Sequence, residues 1–164
     1  MRVYLPATID TLRALLDTGE VGPAPLRGFA VTPALREWYL DDDVESLEYA
    51  ALLDAARASL RLLDLDAKAP RRRVVIAVDA AGTVALRPEL ERSAVELADP
   101  VPMRLVAAVH VDTEEAEPTV AAAVEAVLEA DLGSEDAQFV VDEAEGHELA
   151  WYANQEIGPL LELL

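Results

Sequence analysis

A chain of 164 residues and 17.7 kDa has the length of one ordinary domain, which sets aside a two-domain enzyme with a separate cofactor domain. With 52% hydrophobic and 27% charged residues it has a globular composition, although 30 alanines inflate the first figure. The 32 acids against 13 bases give a net charge of −19, and the lack of cysteine removes thiol nucleophiles, thiolate zinc sites and disulfides.

The charge is segregated. Residues 1–104 hold 17 acids and all 13 bases, whereas residues 105–164 hold 15 acids and no Lys or Arg. Such a field repels a phosphate backbone, so no nucleic-acid partner is expected. Charge of this size serves solubility in the simplest reading. In a sharper one it offers an acidic face to a basic protein partner or a hard cation. No apolar signal core precedes Asp10, and no later run reaches the length of a membrane helix. The chain is read as cytoplasmic, with no membrane partner.

In chain order, Val3 to Leu5 reads as a short strand ended by Pro6. Thr8 is placed to cap a helix with Leu12, Leu15 and Leu16 on one face, and Gly19 to stop it. Phe29 to Val31 reads as a buried strand entering a helix at Thr32-Pro33, since Pro suits the first helical turn. A long helix is expected from about Asp43 to Leu63 on the helical spacing of its apolar residues. Val74 to Val78 is a strongly β-prone run, and Ala81-Gly82 turns it toward Val84 to Leu86 as a hairpin. Two further strands follow at Ala94–Leu97 and Arg104–Asp112, divided by Asp99-Pro100-Val101-Pro102. A helix spans Glu117 to Asp131, with Gly133 beyond its end. Phe139 to Val141 reads as a last strand. A final helix opens with Asp142 and Glu145 at capping-box spacing, carries His147, Trp151, Tyr152 and Gln155, and ends near Gly158-Pro159.

Both ends of the chain thus show strand, helix, strand, helix, with Phe29-Ala30-Val31 leading to Trp38-Tyr39 and Phe139-Val140-Val141 to Trp151-Tyr152. A duplicated ferredoxin-like βαβ unit would produce that echo.

Four segments carry a resemblance: Arg2-Val3-Tyr4-Leu5-Pro6-Ala7-Thr8, Ala30 to Tyr39, Arg71-Arg72-Arg73-Val74-Val75, and His147-Glu148-Leu149-Ala150-Trp151-Tyr152. Together they resemble an uncharacterised family of small acidic actinobacterial proteins, a domain of unknown function. The 12 Arg against one Lys agree with a high-GC source. The resemblance implies no activity, cofactor or functional residue.

Two histidines make the one concrete constellation. In a strand, His110 and Asp112 point to the same face, and on the expected last helix Glu143 and His147 lie one turn apart. Were these pairs adjacent, two imidazoles and two carboxylates would form a set suited to zinc or another divalent ion. The plainer reading has His110 filling a strand position and His147 packing beside Trp151. Asp41-Asp42-Asp43-Val44-Glu45 invites a calcium loop, but Ser46 stands where glycine is needed and Leu52 where glutamate is needed. Helix capping explains those acids better. Arg71-Arg72-Arg73 is read as guarding the Val74-Val75-Ile76 strand or pairing with the protein's own acids. Trp38-Tyr39 and Trp151-Tyr152 are either core residues or partner-binding anchors. The seven glycines form neither a phosphate loop nor a dinucleotide fingerprint, and no serine has nucleophile-elbow flanks.

The expectation is one α+β domain over residues 1–164, a mixed β-sheet of about five or six strands with about five helices. Val74–Val78 and Leu105–Val111 should be central. The leading functional reading is a non-enzymatic interaction or regulatory module that binds a basic partner through residues 105–164. The alternative is a metal-dependent hydrolase or metal-binding protein using His110, Asp112, Glu143 and His147. Cofactor and oligomeric state are left open.

Overall fold

The computed structural model describes residues 1–39 and 43–164. Among the described residues nine strands run β1 Arg2–Ala7, β2 Glu20–Val21, β3 Leu26–Phe29, β4 Val74–Asp79, β5 Val84–Leu86, β6 Ala94–Leu97, β7 Val101–Pro102, β8 Val106–Val111 and β9 Ala150–Ala153. The same residues form six α-helices, α1 Ile9–Thr18, α2 Pro33–Trp38, α3 Val44–Asp64, α4 Glu117–Asp131, α5 Glu135–Glu145 and α6 Ile157–Glu162. Seven strands form one sheet in the order β5-β6-β3-β1-β4-β8-β9, and β2 pairs with β7 in a second, two-stranded sheet.

The fold is α+β as expected, but every strand pair is antiparallel, so the sheet is not mixed, and the main sheet has seven strands. The two β-prone runs are neighbours in its interior, with Val75 opposite His110 and Ile76 opposite Val109. The expected hairpin of Val74–Val78 with Val84–Leu86 does not form, because β4 pairs with β1 and β8 while β5 pairs with β6. Pro6 does not end β1, which runs on to Ala7 opposite Val74. Registered pairing of β1 with β3 is confined to Tyr4 and Phe29, so Pro6 lies beyond the stretch where its missing N–H would be needed on that side.

Both faces of the sheet are covered, which explains why β4 is apolar through Val74–Val78 instead of alternating. On one face Val3, Leu5, Val74, Ile76, Val109 and Val111 pack with Leu12 and Leu15 of α1 and with Ile157, Leu160 and Leu161 of α6. On the other, Tyr4, Phe29, Val75 and Ala77 meet Leu47, Ala51, Ala55 and Ala56 of α3. A third cluster joins Leu60 and Leu63 at the end of α3 to Val120, Val124 and Val127 of α4 and to Ala137, Val141 and Ala144 of α5. Alanine at the contact positions lets these helices approach closely.

Sequence and structure part company in residues 134–159. Phe139 to Val141 is helical, because the Ser134 side chain caps α5 by accepting from the Ala137 N–H and Val141 is buried at 0% exposure in the α4–α5 core. The helix closes at Gly146, so His147 lies outside it and Trp151-Tyr152 belong to a strand instead. Gly158-Pro159 sit in the first turn of α6 and start a helix where an end was expected. With Phe139 in a helix and Trp151 in a strand, the echo between the two ends is lost, and no duplicated ferredoxin-like unit is present among the described residues.

Candidate functional site

Each expected metal ligand has a definite place, and the four do not form one set. His110 sits on β8 between Val75 of β4 and Trp151 of β9. Its imidazole is held below the ordinary range, first by burial and second by the Arg2 charge. Asp112 lies just past the end of β8, fully buried, where it accepts from the Arg73 backbone N–H at 2.7 Å, from Nε at 2.9 Å and from Nη2 at 2.8 Å. Three of the carboxylate's roughly four acceptor sites are thus taken by the arginine, deep in the interior. The shared helix face of Glu143 and His147 does not exist, since Gly146 ends α5 between them; Glu143 is exposed, and His147 contributes its main-chain carbonyl to Arg73 Nη2 at 2.9 Å. Among the described residues no group of three or more His, Asp or Glu side chains is placed to hold a metal ion. The metal reading is not favoured. In the calcium candidate, Asp43 caps α3 by accepting from the Glu45 N–H at 3.2 Å, while Asp41 and Asp42 lie outside the described residues.

The basic cluster is consumed internally, as the pairing reading expects. Arg71 Nη1 donates to the carbonyls of Leu63 and Asp66 at 3.0 and 2.9 Å, closing the end of α3. Arg72 Nε donates to Glu117 at 2.9 Å, and Arg73 holds Asp112.

The aromatic pairs do not complete the core. Trp38, Tyr39 and Trp151 are 61%, 42% and 60% exposed, and Tyr152 packs half-buried against the sheet. They lie at unrelated places, the first pair at the end of α2 and the second on the edge strand β9. Trp38 carries the Arg92 guanidinium 3.6 Å above its ring.

Two surfaces among the described residues combine acids with exposed apolar or aromatic side chains. The first is the α4–α5 hairpin. It exposes Glu125, Glu129, Glu135, Asp136, Asp142 and Glu143 together with the apolar Leu128, Leu132 and Phe139, and a shallow groove runs between Glu125 and Glu129 of α4 and Asp136 and Val140 of α5. Of the fifteen acids in residues 105–164, only Asp112, Glu117 and Asp131 have an ion-pair partner among the described residues. The second is a cleft between α3 and the loop from β5 to β6, where Asp54 and Glu91 lie beside Trp38 and Tyr39. Sequence reading missed Asp54 and Glu91. No motif joins them, and 32 acids permit too many pairs for spacing to choose among.

These features define an acidic α+β protein with a sheet covered on both faces and a charged helical hairpin packed on the end of α3. The chain belongs to a family of unknown function, DUF6912, whose model matches residues 1–161. No curated protein and no solved structure matches it.

Proposed function

We propose that this protein is a non-enzymatic interaction module that binds a basic, amphipathic helical segment of a partner protein on its α4–α5 hairpin. The observation that carries the reading is the coincidence, on one hairpin without a single Lys or Arg, of exposed Leu128, Leu132 and Phe139 with exposed, unpaired acids. Acids alone would serve solubility. Large apolar side chains at 59%, 80% and 66% exposure do not, and they suit the apolar stripe of a partner helix whose basic face meets Glu125, Glu129 and Asp136. Electrostatic complementarity of this kind sets on-rate and partner choice, and the apolar contacts supply affinity. A cytoplasmic location and an actinobacterial source belong to the same reading, the latter supported by the 12 Arg against one Lys. No helix among the described residues is long and apolar enough to cross a membrane.

The test is fluorescence anisotropy of a labelled amphipathic lysine–leucine helix added to the full chain. The expected result is saturable binding that weakens with salt, as screened surface charge requires, and that is lost when Leu128, Leu132 and Phe139 are all changed to Ser. Salt-independent binding, or equal binding by the triple variant, would overturn the proposal.

A further inference from the structure

The second surface is independent of the hairpin and has a different chemistry. A cavity of about 310 Å³ lies among Leu35, Trp38, Tyr39, Asp54, Glu91 and Arg92, which places it at the lower end of the size range of small-molecule sites, roughly 300–1,000 Å³. Asp54 is supplied by α3, the aromatic pair by the end of α2, and Glu91 and Arg92 by the loop between β5 and β6. That loop is tied down at its β6 end. Ser93 is fully buried and donates from Oγ to Asp54 Oδ2 at 2.6 Å, and the Arg92 carbonyl accepts from the Thr32 hydroxyl.

The two carboxylates are only partly compensated by the nearby charges of Arg61 and Arg57. Among the described residues Asp54 has no ion-pair partner, and its one side-chain hydrogen bond, from Ser93, ends on Oδ2. Glu91 has one, Arg61 Nη1, at a long 3.5 Å; the Nε and Nη2 of that arginine are held by Asp131 at 2.8 and 3.1 Å. Burial, first, pushes both carboxyls above their ordinary range, and for Glu91 the charge of Asp54 adds to it. Trp38 and Tyr39 line the same cavity, and one face of the Trp38 ring is taken by the Arg92 guanidinium.

Partly buried carboxylates that share a cavity with Trp and Tyr side chains suit a positive charge carried on carbon. A hard metal ion gains nothing from an aromatic wall, and an anion would meet Asp54 and Glu91. We infer that this cavity binds a small organic cation, an amine or guanidinium on an aliphatic chain, with Asp54 and Glu91 holding the charged head and Trp38 and Tyr39 the chain. Leu35 and Leu90 supply apolar contact to the same ligand.

Agmatine, an amine and a guanidinium joined by a butyl chain, is the probe. It is titrated into the Trp151→Phe variant, in which Trp38 is the only tryptophan, at about 0.15 M salt so that attraction beyond roughly 8 Å is screened. The expected result is a saturable change in Trp38 emission that 1-pentanol does not produce. Asp54→Asn and Glu91→Gln should each weaken agmatine by about tenfold or more, about 1.4 kcal/mol per tenfold. Asp10→Asn with Asp17→Asn, which removes two exposed acids of α1, should leave it unchanged. Circular dichroism checks each variant for folding, and Glu91→Gln, on a loop, decides the case if Asp54→Asn does not fold. No saturable response, or equal agmatine affinity in folded Glu91→Gln and the parent, overturns the inference; the second result assigns the binding to diffuse attraction by a strongly acidic surface.

Discussion

Arg73 and Asp112 form an ion pair with 1% and 0% side-chain exposure, closed by three hydrogen bonds from the arginine to one carboxylate and a fourth to the carbonyl of His147. The pair joins the start of β4 to the end of β8 and fastens the loop that leads into β9. Two charges this deep are tolerated only because each satisfies the other. Removing one leaves an uncompensated buried charge, so Asp112→Ala should lose about 3–5 kcal/mol of stability. Replacing both by apolar residues, Arg73→Met with Asp112→Leu, should recover most of that loss, because no charge is then stranded. Urea denaturation followed by circular dichroism measures both. Equal destabilisation by the single and double variants would show that geometry, not charge, is what the pair supplies.

The same pair shows what the sequence could and could not convey. Arg71-Arg72-Arg73 and Asp112 were both visible, yet nothing in their spacing says that they meet, since strand pairing is a long-range property. Elements with a strong local signal were legible. Thr8 and Gly19 bound α1, the latter at φ 80°, Asp43 opens α3, and Gly133 at φ 103° follows α4. In residues 134–159 local signals conflict with tertiary ones. The β-prone Phe139-Val140-Val141 is overridden by the Ser134 cap and by packing on α4. Past Gly146 the aromatic Trp151-Tyr152 is free to follow its strand preference beside β8. The aromatic half of the cleft, Trp38 and Tyr39, was singled out by residue type alone. Its carboxylates were not, because only folding brings α3 and the β5–β6 loop together.

Gly28 lies where β3 comes close to the side chains of β1. A Cβ there would lie 2.6 Å from Val3 Cγ1, 3.0 Å from Leu5 Cδ2 and 3.3 Å from the Tyr4 carbonyl oxygen. Val3 and Leu5 are core residues with little room to move. Gly28→Ala should therefore cost about 1–3 kcal/mol by overpacking, read from the urea midpoint. An unchanged midpoint would mean that β1 and β3 separate without penalty.

His110 should make the fold acid-sensitive. Burial and, second, the Arg2 guanidinium hold its folded-state value below the ordinary 6.5. The unfolded chain therefore takes up this proton more readily than the folded one, so the contribution to stability is complete above 6.5 and is lost as pH falls from there through the folded value. His110→Gln, which cannot take up a proton, should flatten that limb of the stability profile. Arg2→Gln should move the imidazole titration upward in a proton NMR experiment. A variant profile parallel to that of the parent below 6.5 would assign the acid loss to other groups.

Asp54 works with the opposite sign. Its folded-state value lies above the ordinary 3.8, raised by burial against the smaller opposing effects of the Ser93 hydroxyl and of Arg61 and Arg57. The folded chain thus holds this proton more tightly than the unfolded one. Its contribution is fully present below 3.8 and is lost as pH rises through the folded value, which leaves a charged, partly buried carboxylate. Asp54→Asn keeps an acceptor for Ser93 Oγ and removes the charge. Its denaturation midpoint should climb relative to the parent as pH rises above 3.8, and level off once the parent carboxyl is ionised. The same variant should lose agmatine. Gain of stability coupled to loss of ligand is what a charge retained for binding, at the expense of the fold, would give. A midpoint difference independent of pH would show that Asp54 is neutral or compensated in the folded state, and would remove the electrostatic basis for a cation in the cleft.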